Sequence, residues 1–363
     1  MKYPLIDIDL QKLKYNFNEL NKKCSKKNIK LTVVTKGFAG DQEIMKTLMM
    51  ANVNSIADSR LDNIKKFRDL NYNGEAILLR IPQKSEIKEA INYIDCSLVS
   101  EKESCIYLSE EAKKINKKIG VIVMVDIGDR REGVMPEKLV DFIKEIINFP
   151  GIYLEGIGTN LGCYGGVIPD LKNTKKIIEL KKKVENELGI EINRLSAGNT
   201  ATTNLFGQGL LELEVNNLRV GEAILLANDI TNQRQIEYLK RDVFKVKAEI
   251  IELKEKPSLP TGSQGCNFSG EKVQFKDKGI VKRAILAIGS QDIDHSSLIP
   301  ELKGVEILGS SSDHLLVELS NCKKELNYGD VLNFKLGYSA LLRAMTSPYV
   351  KKNYLYQTTN IKV

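Results

Sequence analysis

Leu31-Thr-Val-Val-Thr-Lys36-Gly-Phe-Ala-Gly40 is a β-branched apolar run that ends in one lysine and two glycines. Its composition predicts a buried strand that delivers an ammonium group to its own C-terminal end, with the glycines letting the backbone turn away at once. Two readings are open at this point. One is a surface lysine just past a strand. The other is a nucleophile: a lysine drawn partly out of water gives up its proton more easily, and the neutral amine attacks a carbonyl such as that of pyridoxal.

Working outward, the same strand grammar recurs through the first 230 or so residues. Short β-branched runs fall at Leu31 to Thr35, Ser55 to Ala57, Ala76 to Leu79, Cys96 to Val99, Val121 to Val125, Tyr153 to Ile157, Ile192 to Leu195 and Leu218 to Val220. Amphipathic stretches lie between most of them, among them Ser100 to Lys117 and Pro136 to Asn148, the latter with proline at its first helical position. Eight strands alternating with helices predict an α/β fold, a (β/α)8 TIM-type barrel. Leu10, Leu13, Phe17 and Leu20 recur at helical spacing and predict a helix leading into it.

Beyond about residue 235 the pattern changes. Val246 to Leu253, Ala284 to Ile288, Val305 to Leu308, Leu315 to Leu319 and Val331 to Leu336 read as strands separated by turn residues, without comparable helical stretches. The expected organisation is therefore an N-terminal strand over 1–10 packing with the β domain, a barrel over 11–232, and a smaller C-terminal all-β domain over 233–363. Pro257 to Gly270 is too rich in Pro and Gly for a strand and reads as a functional loop.

Composition narrows the function. The chain has 363 residues, 42% of them hydrophobic, which suits a proper core. No apolar run approaches the roughly 20 residues of a membrane span, and the N-terminus lacks a signal-peptide core, so a cytoplasmic protein is expected. Six scattered cysteines without a C-x-x-C pair point to reduced thiols, and with only two histidines, His295 and His314, no metal site is expected. The net charge of +7 goes with lysine runs such as Lys181-Lys182-Lys183 that alternate with apolar residues at helical spacing, a solvated face rather than a nucleic-acid surface.

The polar and glycine-rich segments fall just after strands. They are Lys36, Asp126 to Gly133, Thr159 to Gly166, Ser196-Ala-Gly-Asn199-Thr200 and Arg219-Val-Gly221-Glu222. In a (β/α)8 barrel all five open onto one mouth. Gly198-Asn199-Thr200 and Gly221 suit a phosphate cup of backbone N–H groups and a hydroxyl, although Gly-Asn-Thr is equally an ordinary helix cap and Arg219 equally a salt-bridge partner. A carbonyl-seeking lysine opposite a phosphate cup suits a phosphorylated aldehyde, pyridoxal 5′-phosphate.

These segments resemble the fold-type III pyridoxal-phosphate enzymes of the alanine racemase group. Ile288-Gly289, Gly309 to His314, Tyr328-Gly-Asp330 and Leu336 to Ser347 continue the resemblance into the second domain. Within that group, Gly158 to Gly166 and Leu341 to Tyr349 most resemble the bacterial ornithine racemases. The resemblance implies that Lys36 carries the cofactor and acts as one base at the α-carbon. It places Arg219 at the pyridine nitrogen and Arg131 at the phenolic oxygen or the substrate carboxylate. Tyr338, Ser196, Asn199, Thr200 and Gly221 would hold the phosphate, and Asn160 would stand where a histidine usually lies against the ring. It also implies a homodimer with shared active sites.

Departures from that pattern bear on specificity. The tyrosine that usually serves as second base is replaced by Leu259-Pro-Thr261-Gly262, leaving His314, Cys266 and Tyr164 as candidates, with His314 preferred. Smaller groups widen the pocket for a longer amino acid. The distal ammonium of ornithine would need Asp292, Asp294 or Glu222, with Tyr164 also in the substrate pocket. The expected activity is interconversion of L- and D-ornithine. Alternatives are a racemase for lysine, alanine or serine, or a non-catalytic carrier of the same cofactor.

Overall fold

The computed structural model describes residues 2–206, 214–267 and 270–356. The chain forms two compact units, Leu13–Lys240 and a second made of Met1–Lys12 with Arg241–Val363.

The first unit is a closed parallel barrel. Strand β1 (Leu5–Asp9) belongs to the other unit and is followed by helix α1 (Leu10–Ser25). The barrel strands are β2 (Lys30–Val34), β3 (Ser55–Asp58), β4 (Glu75–Leu78), β5 (Cys96–Val99), β6 (Ile119–Met124), β7 (Ile152–Thr159), β8 (Arg194–Ala197) and β9 (Asn217–Val220). All eight coincide with the runs read from the sequence, to within two or three residues at each end. Their interleaved helices are α2 (Gln42–Met50), α3 (Leu61–Asp69), α4 (Lys84–Ala90), α5 (Lys102–Lys114), α6 (Leu139–Ile146), α7 (Leu171–Leu188) and α8 (Glu222–Leu226). Because helices cover the outside and side chains fill the lumen, strand residues are buried on both faces, as continuous β-branched runs require. β2 closes the ring on β9 with Leu31 opposite Leu218 and Thr32 opposite Arg219. One side of the lumen is lined by Ala57, Ile77, Cys96, Leu98, Ile122 and Met124, all buried.

The barrel unit runs past the expected limit of 232 to Lys240. The short strands β10 (Asn228–Asp229) and β11 (Arg234–Gln235) pair with each other. The Ile236 N–H then donates to the Ala227 carbonyl at 2.9 Å. The amide of Asn16, fully buried on α1, closes the segment: its Nδ2 donates to the carbonyls of Ile224 and Lys240, and its Oδ1 accepts from the Lys240 N–H at 2.6 Å.

The second unit is built on the long strand β12 (Phe244–Pro257). With β13 (Ile280–Leu286), β14 (Leu298–Pro300), β15 (Glu306–Ser310), β16 (Leu315–Glu318) and β17 (Val331–Leu336) it forms a sheet in the order β14-β17-β12-β13-β16-β15. β1 pairs antiparallel with β12 and parallel with β18 (Lys351–Leu355). The C-terminal β region is as expected, and it also carries helix α9 (Tyr338–Thr346) after β17, which the sequence reading did not mark. Ala340, Leu341, Ala344 and Met345 make its buried stripe at i, i+1, i+4 and i+5, a pattern too short to stand out among strands. Pro257 also ends β12, opposite Ile280, so the loop begins at Ser258. Of that loop, Phe268 and Ser269 lie outside the described residues. Among the described residues, no helix is long and apolar enough to cross a membrane.

Candidate active site

Lys36 opens a short 3₁₀ turn, Lys36–Phe38, directly after β2, and is half-buried. Fully buried Phe38 anchors the turn, and Ala39 and Gly40 follow in the left-handed region, which sends the chain away from the barrel mouth. A Cβ on Gly40 would come within 2.8 Å of Asn63 Oδ1. Beneath Lys36, the Thr35 hydroxyl donates to Asp58 Oδ2 at 2.5 Å. Asp58 also accepts from the Arg60 N–H at 2.8 Å and from Asn63 Nδ2 at 3.2 Å. Burial raises its carboxyl above the ordinary range, opposed by the hydrogen bonds from Thr35, Arg60 and Asn63 and by the charge of Lys36. The sequence reading stopped that strand at Ala57 and so passed over Asp58. The available signal was an aspartate at the end of the strand next to the lysine's own.

Arg219 is 4% exposed, with its guanidinium inside the barrel. Its Nη1 donates to the Ser196 carbonyl at 2.9 Å and to Ser196 Oγ, and its Nη2 donates to the Thr159 carbonyl at 2.8 Å. Burial pushes it down to about 10, with the charge of Glu132 opposing and that of Arg131 adding to the shift. Among the described residues no carboxylate pairs with it directly, and its partners are the Ser196 and Thr159 groups rather than the salt bridge the sequence allowed.

Asn199 is the cap that Gly-Asn-Thr permitted. Its Oδ1 accepts from the Ala201 N–H at 2.9 Å, and its Nδ2 donates to Asn160 Oδ1 at 3.1 Å and to the Leu161 carbonyl at 2.6 Å. Thr200 Oγ1 accepts from the Ala223 N–H at 3.2 Å and so joins the β8 loop to the start of α8. Gly221 precedes that helix, and a Cβ there would lie 3.1 Å from both Cβ and O of Val34. The close approach that its glycine permits is to β2. Lys36, Arg219, Asn160, Ser196, Asn199, Thr200 and Gly221 thus all stand at or just beyond the C-terminal ends of barrel strands.

The β6 loop carries Arg131, whose guanidinium forks onto Glu132 and approaches Cys163 Sγ at 2.7 Å. Asp129, which the sequence reading left unassigned, is buried and accepts from the backbone N–H groups of Cys163 (3.3 Å), Tyr164 (2.9 Å) and Val167 (3.3 Å). It binds the β6 loop to the β7 loop. The Tyr164 side chain is 78% exposed. Glu222 Oε1 accepts from Asn228 Nδ2 at 2.9 Å and from the Ile230 N–H at 3.2 Å, and burial pushes its carboxyl up to about 7.

In the β unit, Asp292 is buried and accepts from Ser347 Oγ at 2.6 Å. Asp294 accepts from Ser339 Oγ at 2.7 Å and from the Ser296 N–H and hydroxyl, and these bonds hold its carboxyl below the ordinary range. Tyr338 opens α9 and is half-buried. His314 is exposed, its Nδ1 3.4 Å from Ser311 Oγ. The other histidine is the better connected: His295 Nδ1 lies 2.8 Å from Ser310 Oγ, itself 2.6 Å from Ser290 Oγ.

A family model described as the alanine racemase N-terminal domain matches residues 8–229. The chain is 42% identical to the ornithine racemase of Acetoanaerobium sticklandii, over 97% of this chain and 100% of that one. It is 40% identical to the lysine racemase of Thermotoga maritima, over 98% and 99% of the two. The alanine racemase of a D-cycloserine-producing Streptomyces lavendulae superposes with a TM-score of 0.75 at 16% identity, over 98% of each chain, and so shares its fold. The chain belongs to the alanine racemase family. It is an amino-acid racemase.

Proposed function

We propose that this racemase interconverts L- and D-ornithine with pyridoxal 5′-phosphate as cofactor. The observation that carries the reading is the gathering, at one end of the barrel, of a half-buried primary amine on Lys36, the buried guanidinium of Arg219 and the hydroxyl of Thr200. That donor set fits a phosphorylated aldehyde. Lys36 would take the carbonyl, Asn199, Thr200, Ser196, Gly221 and Tyr338 the phosphate, Arg219 the ring nitrogen, Arg131 the phenolic oxygen, and Asn160 the ring face. When bound, pyridoxal phosphate supplies an electron-withdrawing ring that acidifies the substrate's α-C–H.

The chain's own groups do the rest. Lys36 Nζ would take or return the α-proton on its face, and His314 is assigned the opposite face. Arg219, pushed down by burial only to about 10, stays protonated at neutral pH and would donate to a ring nitrogen without protonating it. Glu222 is assigned the distal ammonium. Asp294 is less suited because Ser339 and Ser296 engage both its oxygens, and Asp292 because it is buried beneath Ser347.

Ornithine is favoured by the 42% identity to the Acetoanaerobium sticklandii enzyme, and lysine, by the Thermotoga maritima relative, is the second reading. Incubating the purified protein with each L-amino acid in deuterated buffer, and reading chirality with α-deuterium content, tests both. Ornithine is expected to racemise fastest with one α-deuterium gained; faster turnover of lysine or alanine overturns the assignment. The active form is assigned as a homodimer with shared sites. Mixed dimers of Lys36→Ala and His314→Ala chains should recover part of the activity each lacks alone.

A further inference from the structure

The hydrogen bonds that seat Arg219 do not stop at Ser196. Ser196 Oγ, which accepts from Arg219, lies in hydrogen-bond contact with Asn217 Oδ1. Asn217 Nδ2 donates to the Lys30 carbonyl at 3.0 Å and to Thr32 Oγ1 at 2.9 Å. Thr32 Oγ1 is 2.9 Å from Ser55 Oγ, and Ser55 Oγ donates to Glu75 Oε2 at 2.6 Å. Ser196, Asn217, Thr32 and Ser55 are all fully buried. Arg219 is the penultimate residue of β9, near the mouth, whereas Glu75 begins β4 at the opposite end of the barrel.

The direction of this chain is forced by its ends. A guanidinium has only donors, and an ionised carboxylate only acceptors. Burial alone would raise the Glu75 carboxyl, but Arg194, Lys30 and Ser55 hold it below the ordinary range, so it is ionised at neutral pH. Its ion pairs are Arg194 Nη2 at 2.7 Å and Lys30 Nζ at 2.8 Å. The amide of Asn217 is fixed independently, because the Lys30 carbonyl can only accept and therefore faces Nδ2. Each hydroxyl between the ends accepts from the Arg219 side and donates toward Glu75. Hydrogen bonds aligned in one sense polarise one another and strengthen together.

We infer that Asn217, Thr32 and Ser55 are positioning residues for Arg219, acting through a one-directional hydrogen-bond chain that runs down the barrel lumen to Glu75. The chain keeps a lone pair of Ser196 turned toward the guanidinium and so fixes which of its N–H groups remain for the mouth. Its consequence for catalysis rests on the assignment of Arg219 to the cofactor's ring nitrogen, but the chain itself does not.

The experiment is hydrogen exchange of the arginine side-chain N–H groups in cofactor-free, [15N]arginine-labelled protein, with the Arg219 signal identified by its loss in Arg219→Lys. In the wild type it should exchange more slowly than exposed Arg130. Thr32→Val removes a hydroxyl at constant shape, and Ser55→Ala cuts the chain one link lower. Each should speed Arg219 exchange by about three- to tenfold, the factor carried by one neutral hydrogen bond, and Thr32→Ser should restore it. Exchange in the wild type as fast as at Arg130, or unchanged exchange in both folded variants, overturns the inference. In the loaded enzyme, Thr32→Val should shift the cofactor's visible absorption and lower kcat by the same about three- to tenfold with little change in KM. If exchange responds but Arg219→Gln leaves the bound cofactor's spectrum untouched, the chain stands and the placement of Arg219 at the ring falls.

Discussion

The two sides of the barrel lumen are built from opposite chemistries. From Ala57 through Ile77, Leu98 and Ile122 to Met124 the wall is hydrocarbon and sulfur, closed to water. From Arg219 through Ser196, Asn217 and Thr32 it is a row of hydrogen bonds. Dispersion and apolar burial depend on distance and area but hardly on direction, so the first wall sets the spacing of the strands and leaves the mouth's chemistry alone. Hydrogen bonds are directional, and the second wall therefore aims a group. Stability and orientation are carried by different residues of one ring, and the two rows share β3 and β4, where Ser55 and Glu75 lie on the same strands as Ala57 and Ile77.

The largest effect is expected at the mouth that both walls support. Lys36→Ala should lower racemisation by at least about a thousandfold, as loss of a covalent and proton-transfer group does. Borohydride reduction of the wild type should label only the Lys36 peptide; a label on another lysine would reassign the site. Next comes the polar wall. Arg219→Glu sets a carboxylate against the carbonyls of Thr159 and Ser196, and chemical denaturation should show a loss of about 3–5 kcal/mol, the cost of an uncompensated buried charge. In whatever folds, racemisation should fall while transamination side product rises, since a carboxylate favours a protonated ring nitrogen.

On the apolar wall, Ile122→Ala should cost about 2–5 kcal/mol by opening a cavity, yet leave kcat of the folded enzyme within about threefold. A much larger fall in kcat would erase the division between the walls. A further variant separates charge from hydrogen bonding at the rim. Glu222→Gln keeps Oε1 for Asn228 and Ile230, so only ionisation is lost. Because the folded carboxyl titrates near 7 against an ordinary 4.5, the unfolded chain releases its proton first as pH rises. Wild-type stability should then decline relative to the variant between about pH 4.5 and 7, with the gap constant above and absent below. A melting-temperature gap that does not change with pH would show that the carboxyl is not shifted.

What was legible in the sequence follows the same division. Strand identity and the mouth residues were visible because each barrel strand is a short β-branched run and each functional segment follows one in the chain, as Lys36 follows Val34 and Asn199 follows Ala197. The polar wall was not legible. Period-two alternation puts Thr32 inside the barrel, but that it meets Ser55 on one side and Asn217 on the other depends on the stagger between strands, which local pattern does not encode. Asp58 was missed because its strand was read one residue short, and Asp129 for a reason related to the stagger. An aspartate in a loop looks like any turn residue until the backbone N–H groups it serves are brought to it from elsewhere, as Asp129 receives them from residues 163 to 167.

That last contact has a practical reach. Asp129 grips the neighbouring loop by main-chain N–H groups alone, so the side chains at Tyr164 and Val167 are left without a part in that fastening, while Cys163 Sγ meets Arg131. The glycines are constrained: a Cβ at Gly165 would press to 2.7 Å from the Asp129 carbonyl oxygen, and Gly166 lies in the left-handed region. The segment behaves as an interchangeable cassette on a fixed clasp: its outward residues can be rewritten, by evolution or by a library, while the clasp and the barrel behind it stay as they are.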